Sequence, residues 1–291
     1  MGRDLFHNTK LGKQRYEQAN DIMGMDIATL SFEGPEERLK QTMYTQPAIF
    51  TISVILTELL EERGIVPSFA AGHSLGEYSA LTAAKAFSFE NGLSLVKTRG
   101  KSMQEAGISN KGTMAAIIGL DQDVVEEICR VAFREGIVQP ANYNSKNQIV
   151  ISGEVKGVYK AMDIAREKKA MKVVELNVSG AFHSPLMEPV KKAVGETLKN
   201  IQINKTKFPV VTNVTAESVT LPDKIRKNLI DQLDRPVKWL ETIQNMKSLG
   251  VSTFIEVGPG KVLQGLNRRI DRSLISTGIE TLNDVERYTN V

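Results

Sequence analysis

The spacing of apolar positions changes along the chain, and each change predicts a different kind of element. Across residues 1–45 the apolar anchors are scattered, as Leu5, Phe6 and Leu11 and then Ile22, Met23 and Met25. That spacing suits helices and turns, and no strand-like run precedes the first helix. Gln46-Pro47 then opens a long helix to about Glu62, with Pro47 suited to a first helical turn. Ile49, Phe50, Ile52, Val54, Ile55, Leu56, Leu59 and Leu60 make this helix apolar on nearly all sides, so it is expected to be buried. Arg63-Gly64 ends it. Phe69-Ala70-Ala71 predicts a strand, and residues 77–86 a helix. Ser88 predicts an N-cap for a helix to about Glu105, whose apolar stripe is Leu95, Val96 and Met103.

From about Gly112 the texture changes. Residues 114–120 form a strand-like run, 124–133 a helix, 137–142 and 148–152 two strands, 155–168 a lysine-rich helix, and 171–178 a strand. The order β-α-β-β-α-β is that of a ferredoxin-like unit. It predicts a small domain over 111–180 inserted into a large domain made of 1–110 and 181–291. Asn142-Tyr143-Asn144-Ser145 falls in its middle turn, where asparagines are ordinary turn chemistry.

Beyond it, Ser184 and Pro185 predict the N-cap and first residue of a helix over 186–199. Residues 208–213 are strand-like, 223–233 and 236–246 helical. A buried strand, Thr253-Phe254-Ile255-Glu256-Val257, breaks at Gly258-Pro259-Gly260 into a helix over 261–270, and an apolar run over 275–279 ends the pattern. Strand–helix alternation on both sides of the insertion argues for a mostly parallel sheet covered by helices.

The stretch Ala71-Gly72-His73-Ser74-Leu75-Gly76-Glu77 has the form G-x-S-x-G between a strand and a helix. In that context the serine sits on a sharp turn with its hydroxyl exposed at a helix N-terminus, where unpaired N–H groups suit an oxyanion. Gly72 and Gly76 are expected to remove side chains that would collide in the turn. The plain alternative is a glycine-rich turn whose serine only caps the helix. The expected fold class is therefore α/β: an α/β-hydrolase-like large domain with a parallel sheet and a serine elbow, carrying a ferredoxin-like small domain.

Composition narrows the function classes. The chain has 291 residues, 41% hydrophobic and 24% charged, with a formal charge of +3. That is ordinary for a soluble globular protein and does not argue for nucleic acid. No apolar run is taken as long enough to span a bilayer, and Met1-Gly2-Arg3-Asp4-Leu5-Phe6 is not a signal peptide. Cys129 is the only cysteine, so no internal disulfide forms; a cytoplasmic location fits, and its helical neighbours make it a small core residue. Three histidines and one cysteine give no metal-ligand cluster. Of those histidines, His7 is expected at the surface and His73 is inside the elbow. His183, just before a helix N-terminus that disfavours its protonation, is the free candidate for a base, although a lone histidine on a turn is more often structural. Arg99 falls on the apolar stripe of its helix, four residues from Leu95 and from Met103. A guanidinium facing a core needs an anionic partner, either a structural carboxylate or a substrate's.

Several further segments join the elbow in one resemblance. Thr45-Gln46-Pro47-Ala48, Gly72-His73-Ser74-Leu75-Gly76-Glu77-Tyr78-Ser79-Ala80, Arg99-Gly100, Gly112-Thr113-Met114-Ala115-Ala116, Phe182-His183-Ser184-Pro185-Leu186-Met187 and Glu256-Val257-Gly258-Pro259-Gly260-Lys261-Val262-Leu263 resemble the malonyl-CoA:acyl carrier protein transacylase family of type II fatty-acid synthesis. The resemblance runs from Met1 to about Leu282. It implies Ser74 as nucleophile and His183 as general base, with the backbone carbonyl of Gln232 holding the other imidazole nitrogen; Asp231 and Asp234 lie close enough in sequence to compete for that place. It implies that Arg99 pairs with the malonyl carboxylate, that Gln46 lies near it, and that the Leu75 N–H donates to the oxyanion. Phe182 and His73 resemble members that prefer malonyl over methylmalonyl. The implied partners are malonyl-CoA and acyl carrier protein, with no nucleic acid, no membrane and no cofactor, and a monomer is the expected state.

The family's extreme N-terminal strand and its P-G-Q-G-S/A-Q loop, which supplies a second oxyanion donor, have no counterpart in this sequence. Loss of one such donor typically costs about 10²–10³ in rate, so weak folding or weak activity is expected of the chain as it stands. Two alternatives remain at this point: a serine thioesterase or esterase, and an inactive carrier-protein-binding protein.

Overall fold

In the computed structural model, which describes residues 1–289, local capping sets the N-terminal helices α1 (Arg3–Asn8), α2 (Lys10–Met23), α3 (Ile27–Glu33) and α4 (Glu36–Leu39). The Thr9 hydroxyl accepts the Gly12 N–H at 2.9 Å, the Asp26 carboxylate accepts the Thr29 N–H at 2.8 Å, and Gly24 ends α2 in the left-handed region at φ 67°. Helix α5 (Thr42–Glu62) starts four residues before the predicted point, which puts Pro47 inside it rather than in its first turn. The early turn is held from outside: the Thr42 N–H donates to Gln104 Oε1 at 3.0 Å. By length and apolarity alone α5 qualifies as a membrane span, contrary to the sequence reading. It is the core helix of the fold, with Phe50, Ile52, Ile55 and Leu56 fully buried.

Strand β1 (Ala70–Ala71) leads into α6 (Gly76–Ala83), and α7 (Phe89–Ser109) follows, its start capped by Ser88 as predicted. The inserted unit comprises β2 (Gly112–Ile118), α8 (Gln122–Ala132), β3 (Val138–Ser145), β4 (Gln148–Glu154), α9 (Val155–Glu167) and β5 (Lys172–Glu175). Its antiparallel sheet has the order β3-β4-β2-β5, the ferredoxin-like arrangement. Ala115, Ile117, Ile149 and Ile151 alternate toward α8 and α9, which contribute Val125, Ile128, Val158 and Ala161 to the same core; Cys129 is buried there. Asn142 and Asn144 are not in a turn. They lie in β3, both buried, because the strand continues past the predicted end to dock on the large domain. Tyr143 N–H donates to the Val237 carbonyl and Val237 N–H to the Ala141 carbonyl, each at 2.9 Å.

The chain then passes through a short 3₁₀ turn, Pro185–Met187, into α10 (Glu188–Lys199), β6 (Val210–Val211), β7 (Ser218–Val219), α11 (Pro222–Asp231), α12 (Trp239–Ser248), β8 (Thr253–Val257), α13 (Val262–Ile270), β9 (Ile275–Ile279) and α14 (Leu282–Thr289). Among the described residues the large-domain sheet is in two pieces. In one, β1 pairs parallel with β6, and β6 antiparallel with β7; in the other, β8 pairs parallel with β9. The pieces share an apolar cluster of Val237, Trp239, Ile243 and Leu266, against which both Ala71 of β1 and Phe254 of β8 pack. Helix α14 extends the fold beyond the predicted end and is tied to the start of the chain, since the Leu282 N–H donates to Asp4 Oδ2 at 2.8 Å.

Candidate active site

The elbow is built from strain and close approach. Ser74 stands at φ 51°, in the left-handed region. A Cβ on Gly72 would lie 1.9 Å from the carbonyl carbon of Gly76, so the two ends of the turn touch only because residue 72 has no side chain. Gly76 does not share that constraint: a Cβ there would meet nothing within 4 Å, which corrects the expectation for the second glycine. Asn213, two residues past β6, clips the turn. Its Oδ1 accepts the Ser74 N–H at 2.7 Å and its Nδ2 donates to the Gly72 carbonyl at 2.6 Å. Leu75 heads α6. The Gly76 and Glu77 N–H groups turn back to the carbonyls of His73 and Ser74. The Leu75 N–H, adjacent to the Ser74 hydroxyl, has no such partner among the described residues.

His183 is buried, also at a positive φ of 58°. Its Nε2 lies 2.8 Å from Ser74 Oγ and its Nδ1 lies 2.7 Å from the backbone carbonyl of Gln232. A carbonyl can only accept, so Nδ1 carries the proton and Nε2 is left to receive one from the serine. Burial, and then the nearby positive charge of Arg99, push the imidazole pKa down to about 3. The neutral form is therefore the resting form. Neither acid that competed for the third position takes it: Asp231 pairs with Lys227 at 2.6 Å and Asp234 with Lys191 at 2.8 Å.

Arg99 is 1% exposed. Nη1 donates to Gln46 Oε1 at 2.7 Å, while Nη2 donates to Ser74 Oγ at 2.9 Å and to Gln232 Oε1 at 3.2 Å. Among the described residues its Nε has no partner and no carboxylate touches the guanidinium, which lies 5.3 Å from the centre of the Tyr78 ring. The carboxylate of Glu77, fully buried beneath the elbow, is reached only through Gln232, whose Nε2 donates to Glu77 Oε2 at 2.8 Å and to the Ser74 carbonyl at 2.9 Å. Burial raises the Glu77 carboxyl to about 7.

His73 turns its Nε2 to Asn144 Oδ1 at 2.9 Å, and its ring centre lies 5.7 Å from that of Trp239. Burial lowers its pKa too. Phe182 is half-buried at the joint between the domains, packed against Met114, Ala116, Ala141 and Val150. Sequence reasoning missed Asn213, Glu77, Asn144 and Gln139. Gln139 Nε2 donates to the carbonyls of both His183 and Asp234, each at 2.9 Å. Only Glu77 carried a local signal, as a carboxylate directly after the second glycine of the elbow.

A hydroxyl, a neutral imidazole held by a carbonyl and a buried cation meet at Ser74 Oγ, and the Leu75 N–H follows Ser74 in the chain. Such a set can form and break an ester of an anionic acyl group. A family model described as "Acyl transferase domain" matches residues 1–288. A malonyl CoA-acyl carrier protein transacylase from Bacillus subtilis (strain 168) is 41% identical over 287 residues, covering 98% of this chain and 90% of that protein. The solved malonyl CoA-acyl carrier protein transacylase of Coxiella burnetii superposes with a TM-score of 0.96 at 38% identity, over 100% of this chain and 92% of that one. A malonyl-transacylase solved in complex with its type II PKS acyl-carrier protein superposes at 0.95 and 37% identity, over 100% of this chain and 94% of that one. The chain belongs to the acyl transferase domain family and, within it, to the malonyl CoA-acyl carrier protein transacylases.

Proposed function

We propose that this protein moves a malonyl group from malonyl-CoA to the phosphopantetheine thiol of an acyl carrier protein, through an ester on Ser74, as a step of fatty-acid synthesis. The observation that carries the reading is the buried, carboxylate-free guanidinium of Arg99, 2.9 Å from Ser74 Oγ. It supports an acyl group that brings its own negative charge. The malonyl carboxylate takes the Arg99 fork beside Gln46, and the thioester carbonyl is left over Ser74. His183 Nε2 takes the serine proton as Oγ attacks the carbonyl carbon. The Leu75 N–H donates to the oxyanion, and the Gln232 carbonyl holds the imidazolium that forms. Collapse expels the CoA thiolate, which takes the proton back from His183. The carrier protein's thiol then gives its proton to His183 and attacks the malonyl ester, and Ser74 Oγ leaves and takes that proton back from His183. The reaction balances with these side chains alone, so the reading calls for no cofactor.

Phe182 and His73 are assigned to the wall of the acyl pocket, where a bulky ring crowds a branched α-carbon and favours malonyl over methylmalonyl. Residues 111–180 are assigned to a small domain and 1–110 with 181–291 to a large one. A cytoplasmic location and a monomer accompany this reading. The test is intact-mass measurement after incubation with malonyl-CoA, beside Ser74→Ala. One malonyl adduct on the parent and none on the variant is expected. Rapid CoA release without an adduct would instead make the protein a hydrolase, and no adduct on folded protein would make it a binder of carrier protein.

A further inference from the structure

The base, on the loop before Pro185–Met187, and the carbonyl that holds it, after α11, lie 49 residues apart in sequence. Both must keep their spacing to within a few tenths of an ångström for a dyad of 2.8 and 2.7 Å to survive. His183 must do so at a positive φ, a conformation that persists only where neighbours over-determine it. One side chain touches both segments. Gln139, on β3 of the inserted sheet, donates from its single amide nitrogen to the carbonyl of His183 and to that of Asp234, two residues past Gln232. The two hydrogens of one –NH₂ match two acceptors, so neither carbonyl goes without a donor. The same strand continues the grip through backbone bonds between Ala141, Tyr143 and Val237.

We propose that Gln139 is a positioning residue for the reaction: it fixes the backbone of the base and of the residues that hold the base, and so makes the inserted domain part of the dyad's frame. This rests on the reading of Ser74 and His183 given above. No bond to substrate is involved, and the amide is neutral. Of the charged groups around it, Asp234 pairs with Lys191 at 2.8 Å through Oδ2 while its buried Oδ1 has no partner among the described residues, and Arg235 lies 3.9 Å from Asp231.

Gln139→Glu separates this role from simple packing. The shape is kept, but a donor becomes an oxygen 2.9 Å from two carbonyls. Ionised, that oxygen repels both; protonated, it donates to one. The two carbonyls should also raise its pKa above the ordinary glutamate value. Acylation of Ser74 by malonyl-CoA is expected to fall about tenfold in kcat at about pH 8, as a small displacement of a base demands, with KM unchanged. At about pH 5.5 most of that loss should return, a recovery the parent protein does not show. A second readout needs no turnover. With only three histidines in the chain, ¹⁵N-histidine NMR resolves the His183 Nδ1–H bonded to Gln232. In Gln139→Glu at pH 8 that proton signal should shift or broaden. An unchanged signal, or an equal loss at both pH values, overturns the proposal. A parent protein that takes no malonyl adduct while the His183 signal still responds to Gln139→Glu overturns the assigned reaction and leaves Gln139 in its role.

Discussion

Arg99 donates to the Ser74 hydroxyl at 2.9 Å, while the charge of Glu77 meets the guanidinium only across the amide of Gln232. The free protein thus spreads a buried positive charge over two amide oxygens, a hydroxyl and an aromatic face, none of which neutralises it. In the proposed reading an incoming carboxylate neutralises it, and a carboxylate that takes the Nη2 donor displaces the Ser74 hydroxyl from Arg99.

Removing that cation should separate charged from uncharged acyl groups. Breaking one side of a buried ion pair costs about 3–5 kcal/mol. For Arg99→Ala this corresponds to a loss of roughly 10²–10⁴ in kcat/KM with malonyl-CoA, and a much smaller loss with acetyl-CoA. Steady-state kinetics with both thioesters decide it. Equal losses would mean that Arg99 supports the elbow and does not read the carboxylate.

The two buried titrating groups pull stability in opposite directions. His183 is held near 3 against an ordinary 6.5, so as pH falls from 6.5 the unfolded chain binds a proton that the folded one refuses, and stability declines toward pH 3. Glu77 is held near 7 against an ordinary 4.5, so its burial costs stability as pH rises from 4.5 to 7 and that cost is relieved on acidification. Each slope is about 1.4 kcal/mol per pH unit, and between 4.5 and 6.5 they cancel. In Glu77→Gln the compensation is gone. Its Tm, measured against pH relative to the parent, should begin to fall near pH 6.5, where the parent holds level to about 4.5. Parallel curves would show that Glu77 does not titrate in that range.

Much of this site is legible in the sequence because it depends on local spacing. The elbow needs only a strand, a glycine and a helix in succession. The misplaced charge of Arg99 shows against Leu95 and Met103 on one helical stripe, and the β-α-β-β-α-β order shows in apolar periodicity. What is not legible depends on contacts through space. Pro47 sits inside α5 because Gln104 holds the turn before it. Asn144 and Gln139 look like turn and strand polar residues until β3 is docked on residues 234–237, which puts their amides on His73 and His183. Asn213 is an ordinary residue after a short strand, and only the parallel pairing of β1 with β6 places it under Ser74. The division of the large sheet into two pieces is equally invisible to periodicity, because β1 and β6 are each two residues long.

The strain at Ser74 can be measured apart from its chemistry. At φ 51° a residue with a Cβ costs about 1–2 kcal/mol more than glycine. Ser74→Ala and Ser74→Gly both lose the hydroxyl and its bonds to His183 and Arg99. Both should therefore be inert toward malonyl-CoA. Of the two, Ser74→Gly should be the more stable by about 1 kcal/mol, which denaturant unfolding resolves. Equal stabilities would place no strain at the nucleophile.

The two glycines of the elbow should respond very differently to the same added methyl group. At Gly72 it would overlap the Gly76 carbonyl carbon at 1.9 Å and the Gly76 oxygen at 2.0 Å, both backbone atoms that no rotamer change can clear. Gly72→Ala must open the turn, which breaks the Asn213 clip at the Gly72 carbonyl and moves Ser74 away from His183. At Gly76 the methyl meets open space at the first position of α6, where alanine is the better helix former by about 1 kcal/mol. Gly76→Ala should keep or slightly raise the parent Tm, and Gly72→Ala should lower it by several degrees and abolish acylation of Ser74. Thermal melts with intact-mass assays compare the pair. A destabilised Gly76→Ala would mean that something occupies the space in front of α6.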